Sequence, residues 1–222
     1  MNTAHWDLQE HAARPSLVVA LGAKGAEPGG LGVVDGGEIP YLPEALAKKK
    51  ANFADRLTLD PETKCYLPGV PRASYMPYPF QILHSDKAIF FAYEYAGAVR
   101  NIFLKDPGPA PIESWMGQSY GRWEGDTLVI DVTGLDERTW LDRAGNHHSD
   151  ALHVVERFTL KSAGILQYEA TIEDKNVFSR PWKIRMPLYR RVEEGARLME
   201  FKCVEFAEDL MYGQYSKGAK KP

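Results

Sequence analysis

The sequence predicts an all-β fold, a single antiparallel barrel closed around a pocket, and three observations carry that prediction. From Phe80 onward the chain divides into about nine short strand-like segments joined by turns. Several of these segments alternate apolar and polar residues with period two. No helix-length pattern separates them, as a parallel sheet would need for its crossovers. Closure removes exposed strand edges, and about eight strands enclose a small cavity. A two-sheet sandwich is the alternative architecture.

The elements follow in order. Residues 1–60 read as an arm packed on the outside of a barrel domain spanning 61–222. Glycine is dense from Gly22 to Gly37, and no strand period survives there. Pro43 to Arg56 reads as one helix, with Pro43 in the first turn and Glu44, Ala45, Leu46 and Ala47 behind it. In 61–80, Pro61, Pro68, Gly69, Pro71, Pro77 and Pro79 interleave with Tyr66, Tyr75 and Tyr78. Proline blocks helix interiors and central strands alike, so this is an ordered aromatic loop.

The strands are expected at Phe80–His84, Ala88–Tyr95, Ala98–Leu104, Gln118–Trp123, Thr127–Val132, His153–Leu160, Ile165–Ile172, Trp182–Tyr189 and Arg197–Glu205. Glu124-Gly125-Asp126, Ser162-Ala163-Gly164 and Glu193-Glu194-Gly195 supply turns between them. Leu166, Tyr168, Ala170 and Ile172 oppose Gln167, Glu169, Thr171 and Glu173, so one sheet face is buried and one is wet. Ile89, Phe91, Tyr93 and Tyr95 alternate with Phe90, Ala92 and Glu94, which predicts a strand covered on both sides.

Composition narrows the function. The chain has 222 residues, 44% hydrophobic and 26% charged, which is ordinary for a folded domain. A net charge of -3 gives little attraction to polyanions, so nucleic acid is not expected as a partner. Ser16 to Leu21 is apolar but far short of a membrane span, and His5, Asp7 and Glu10 before it make a poor signal peptide. A cytoplasmic location is expected, or a periplasmic one if a leader has been removed. Cys65 and Cys203 are either two buried thiols or one bridge, which needs an oxidising compartment.

The densest polar cluster is the stretch from Trp140 to His153, with His147, His148, Asp150 and His153. Histidine titrates near neutrality and suits proton transfer. His148 and His153 are the candidate proton-transfer pair, with Asp150 as the orienting carboxylate. The same cluster is the candidate for a metal, although its spacing matches no helical ligand motif. Glu156 shares a face with Leu152, Val154 and Phe158, so it points inward, either as a general base or in an ion pair with Arg100 or Arg122. Glu94 is a second candidate buried acid. Tyr78, Tyr95, Arg100, Trp115, Tyr120 and Trp140 are expected to shape the pocket for an aromatic ligand. Gly117-Gln118-Ser119-Tyr120-Gly121 matches the G-x-S-x-G elbow, but a strand pattern follows it where the elbow needs a helix.

The run Trp115-Met116-Gly117-x-Ser119-x-Gly121-Arg122-Trp123-Glu124-Gly125-Asp126-Thr127-Leu128-Val129 resembles the core motif of a large bacterial family of mostly uncharacterised proteins. Tyr93-Glu94-Tyr95, Glu156-Arg157-Phe158 and Pro181-Trp182 extend the resemblance over roughly residues 61–206. It implies a lipocalin-like barrel. Many members of that family look exported, whereas this chain shows no leader.

The expectation is therefore a cofactor-independent enzyme, a lyase, dehydratase or isomerase, working by acid–base chemistry on a hydrophobic, aromatic small molecule. The alternatives are a non-catalytic small-molecule carrier, a metal-dependent enzyme built on the His147–His153 cluster, and a structural module. A homo-oligomer is compatible with each.

Overall fold

The computed structural model describes residues 38–207 and Leu210. The glycine-rich stretch from Gly22 to Gly37, the apolar run at 16–21 and the terminal lysines lie outside the described residues. Helix α1 (Pro43–Ala54) starts on Pro43, as expected, but stops at Asp55, and a single turn α2 (Arg56–Leu59) follows. The arm docks through Leu42, whose N–H bonds the Val177 carbonyl at 2.9 Å, and through Asn52, which reaches the Gly145 carbonyl. The prolines of 61–80 hold two 3-10 turns, Pro61–Lys64 and Arg72–Ser74.

Eight strands form one curled sheet, a half-barrel, in sequence order: β1 (Phe80–His84), β2 (Ala88–Tyr93), β3 (Val99–Phe103), β4 (Gln118–Glu124), β5 (Thr127–Thr133), β6 (His153–Ser162), β7 (Ile165–Glu173) and β8 (Trp182–Tyr189). Neighbours are antiparallel except β3 and β4, which run parallel through Ile102↔Ser119 and Phe103↔Tyr120. The long connection opened by Pro107-Gly108-Pro109 makes this possible, since a parallel neighbour needs a crossover rather than a hairpin.

Three expectations need correction. Arg197–Glu205 is irregular and not a ninth strand. Pro187 within β8 removes a ladder donor and confines that strand to an edge. The last segment is held instead by the Met199 N–H on Glu94 Oε2 at 2.8 Å, by the Phe206 N–H on the Thr63 carbonyl at 2.7 Å, and by a Cys65–Cys203 disulfide. Second, β1 and β8 do not pair, so the sheet stays open between its two edge strands. Third, β2 is not covered on both faces: Phe90 is exposed, and the strand ends at Tyr93 before Glu94.

The inward face is packed by side chains. Phe91, Ile102, Ile130, Val154 and Tyr168 are inaccessible to solvent. Phe91 meets Phe158 edge-on at 5.3 Å, and Phe158 meets Tyr168 at 4.9 Å. The W-M-G-x-S-x-G motif has a structural account here. A Cβ on Gly121 would lie 2.5 Å from the Ile102 side chain, so only glycine lets β4 lie this close to β3. Gly117 has a φ of +64° where the chain enters β4, and Ser119 receives a hydrogen bond from Arg100. Ser119 lies within a strand, so no nucleophile elbow exists at this sequence.

The disulfide closes a loop of 138 residues in sequence separation. Chain-entropy arguments put the stabilisation from a loop of that size at about 5 kcal/mol. Replacing both cysteines by serine, or adding reductant, should lower the denaturant midpoint accordingly in a chemical unfolding titration.

Candidate functional site

At the centre of the half-barrel lies a buried ion pair. Arg100 of β3 and Glu156 of β6 face each other inside the sheet, and both are fully enclosed. Glu156 Oε1 also accepts from the Tyr168 hydroxyl at 2.7 Å and from Ser74 at 3.3 Å. Arg100 Nε donates to Ser119 Oγ at 2.8 Å, and its guanidinium lies over the Phe91 ring. The Glu156 carboxylate holds the Arg100 pKa up against burial, while burial pushes the Tyr168 hydroxyl up. This is the internal-pair reading of Glu156, with Arg100 rather than Arg122 as the partner. Arg122 instead pairs with Asp131 and Glu124 on the outer face.

A second buried network ties the proline-rich loop to the loop after β5. Asp60 takes Arg72 in a bidentate bond, 3.0 Å at both oxygens. Glu62 accepts from Arg72 at 2.5 Å and from Arg143 at 2.6 Å. Asp142 closes the Trp140–His153 loop on itself through the Ala144 N–H and the Asn146 amide.

The histidines separate. His148 is buried with both ring nitrogens occupied: Nδ1 faces the Ser149 carbonyl at 2.8 Å and Nε2 faces Thr139 Oγ1 at 2.6 Å. A carbonyl can only accept, so a proton sits on Nδ1, while Nε2 pairs with the Thr139 hydroxyl, which also bonds the Asp136 carbonyl at 3.1 Å. Burial holds its pKa below the usual value. His153 is half-exposed on the outer face, with Nε2 at 3.2 Å from Asp131. Asp150 is exposed and is not what orients His148. Asp174 does the loop's structural work, accepting from the Ser149 N–H at 2.6 Å and its hydroxyl at 2.9 Å.

His148, His153, Glu94 and Glu156 therefore do not converge on one cavity. Glu156 is in the core, His148 in the loop base, His153 outside, and Glu94 under the last segment. The proposed metal set of His148, Asp150 and His153 does not fit either, because His148 has no free nitrogen and His153 faces away. Among the described residues no group of three or more histidines, cysteines and carboxylates is placed to hold a metal ion.

The expected pocket aromatics also divide. Tyr78 and Tyr95 are covered by the chain's own Phe201, at 5.3 and 4.8 Å between ring centres. Tyr120 is half-buried on the outer side of β4. Trp115 and Trp140 share a surface cleft of about 290 Å³ with Tyr66, His147, Lys48 and Lys64. Tyr66 and Trp115 meet at 4.9 Å, and Arg138, held by Asp136, stacks over Trp115 at 4.8 Å. Glu137 stands at its border. His147 stacks on Tyr41, and burial pushes its pKa down to about 4. Sequence reasoning missed Tyr66, Lys48 and Lys64 because they come from the arm and the proline-rich loop, far in sequence from the tryptophans. Asp174 was legible only as an Asx signal, Asp174 to the Asn176 N–H at 3.0 Å.

No known protein family matches the chain, and neither a curated protein nor a solved structure matches it.

Two measurements follow from this geometry. Glu156→Ala leaves Arg100 buried and unpaired and should cost about 3–5 kcal/mol, whereas the Arg100→Met, Glu156→Leu double variant should recover much of that loss in a double-mutant cycle. The folded pKa of His147 lies below its unfolded value near 6.5, so the unfolded chain binds the extra proton first. Stability should fall as pH drops from about 6.5 to about 4, and His147→Phe should flatten that part of the profile in pH-dependent denaturation.

Proposed function

We propose that the protein is a small-molecule binding protein that takes an aromatic carboxylate in the cleft between Trp115, Trp140 and Tyr66, without transforming it chemically. One observation carries this reading: three aromatic side chains and the ammonium groups of Lys48 and Lys64 border one cleft, and neither lysine makes an ion pair with a described residue. Flat rings offer stacking area to a planar ligand, and the lysines offer a counter-charge to its carboxylate. His147 at the same cleft is neutral at pH 7, so the counter-charge to a carboxylate comes from the lysines.

The acid–base reading has less support. A base with a pKa near 4 is weak at neutral pH, and His147 is the histidine that borders this cleft. The motif resemblance and the curled sheet together favour a lipocalin-like frame, used here as a scaffold whose binding surface lies outside the packed interior. The disulfide favours an oxidising compartment over the cytoplasm. No helix among the described residues is long and apolar enough to cross a membrane.

Titration with naphthalene-2-carboxylate, read by quenching of tryptophan fluorescence, tests the proposal. Saturable quenching is expected, with affinity lowered about tenfold by Trp115→Ala and by Lys64→Ala. The ligand's NMR spectrum should stay unchanged during prolonged incubation. Absence of saturation, or appearance of a product, refutes binding without turnover.

A further inference from the structure

The seam between the β1 edge and the chain that follows β8 holds a second, larger cleft of about 650 Å³. It runs along Pro79 and the first three residues of β1, Phe80, Gln81 and Ile82. Leu160 at the end of β6 and Leu198 of the last segment supply further apolar wall. Leu160 is 60% exposed, which leaves its side chain accessible at the cleft. Arg190, Arg191 and Arg197 border the same cleft, and no acidic residue lines it. Arg191 is engaged by Glu193 at 3.4 Å, whereas Arg190 and Arg197 make no ion pair with a described residue.

We propose that this seam binds an amphipathic aliphatic anion, a medium- or long-chain carboxylate. The hydrocarbon chain lies against Phe80, Ile82, Leu160 and Leu198, and the carboxylate meets the guanidinium groups of Arg190 and Arg197. The volume falls in the range of small-ligand sites. The cationic border on a chain of net charge -3 is locally complementary to an anion. Guanidinium forks match carboxylates bidentately, a geometry that Arg190 and Arg197, without an ion pair to a described residue, can offer at one cleft. Aliphatic walls distinguish this ligand from the planar one assigned to the Trp115 cleft, and neither assignment depends on the other.

Isothermal titration of dodecanoate into the 222-residue chain, with dodecan-1-ol as the uncharged comparison, tests the proposal. One-to-one saturable binding of dodecanoate is expected. The Arg190→Ala, Arg197→Ala double variant should weaken dodecanoate about tenfold or more and leave dodecan-1-ol within about twofold. Leu160→Asp, on an exposed position that should not disturb folding, should abolish binding of both. Circular dichroism melts of each variant establish that the fold persists. Quenching by naphthalene-2-carboxylate should be unchanged in all of them, so failure here is distinguishable from failure at the aromatic cleft. Equal losses for acid and alcohol in the arginine variant overturn the proposal. So does the absence of saturable binding, whether a terminal segment or a second copy fills the seam. A second copy is recognised by a dimer in sedimentation that Leu160→Asp dissolves.

Discussion

The Arg100–Glu156 pair is the constraint around which the rest of the molecule is arranged. Two charges removed from water are tolerable only if each is matched by the other and by further hydrogen bonds. Ser119, Tyr168 and Ser74 supply those bonds from β4, β7 and the proline-rich loop. The pair therefore specifies more than the β3-to-β6 distance. It requires β4 to approach closely enough for Ser119 to reach Arg100, and Gly121 permits that approach. It also requires residues 72–74 to be seated over the inner face of the sheet, and the Asp60–Arg72–Glu62 network holds them there.

This arrangement explains why the polar residues with the most chemical promise in the sequence are structural. Glu156 is spent on Arg100. His148 is a neutral ring joining Thr139 to Ser149. Both are engaged by the chain itself, whereas Lys48 and Lys64 at the Trp115 cleft and Arg190 and Arg197 at the larger cleft form no ion pair with a described residue. The two clefts lie where strands end or fail to meet.

The strands of the half-barrel were legible because period-two alternation depends only on which face is buried, and β5 and β7 show it plainly. Glu156 as an inward residue followed from the same parity. The parallel β3–β4 pair was not legible, since alternation is identical in either direction and only the crossover decides. Arg197–Glu205 carried a strand-like pattern, yet its partner would have been an edge strand containing Pro187. The Trp115 cleft combines residues from 48 to 147, and no local spacing links them. Trp115 and Trp140 were found as large aromatics, and their shared location depends on how the loops after β3 and β5 pack against the arm. The charge state of His147 comes from burial under Tyr41, which lies more than a hundred positions away.

The Cys65–Cys203 bridge has a mechanical meaning as well. All eight strands lie between its two cysteines. A pulling force applied at the two ends of the chain enters at Cys65 and leaves at Cys203 through the sulfur atoms, so the sheet lies outside the path of tension. Stretching the oxidised molecule pulls on the segments outside the bridge, the docked arm with α1 among them, and the span between the two cysteines can be drawn out only once the bridge is cut.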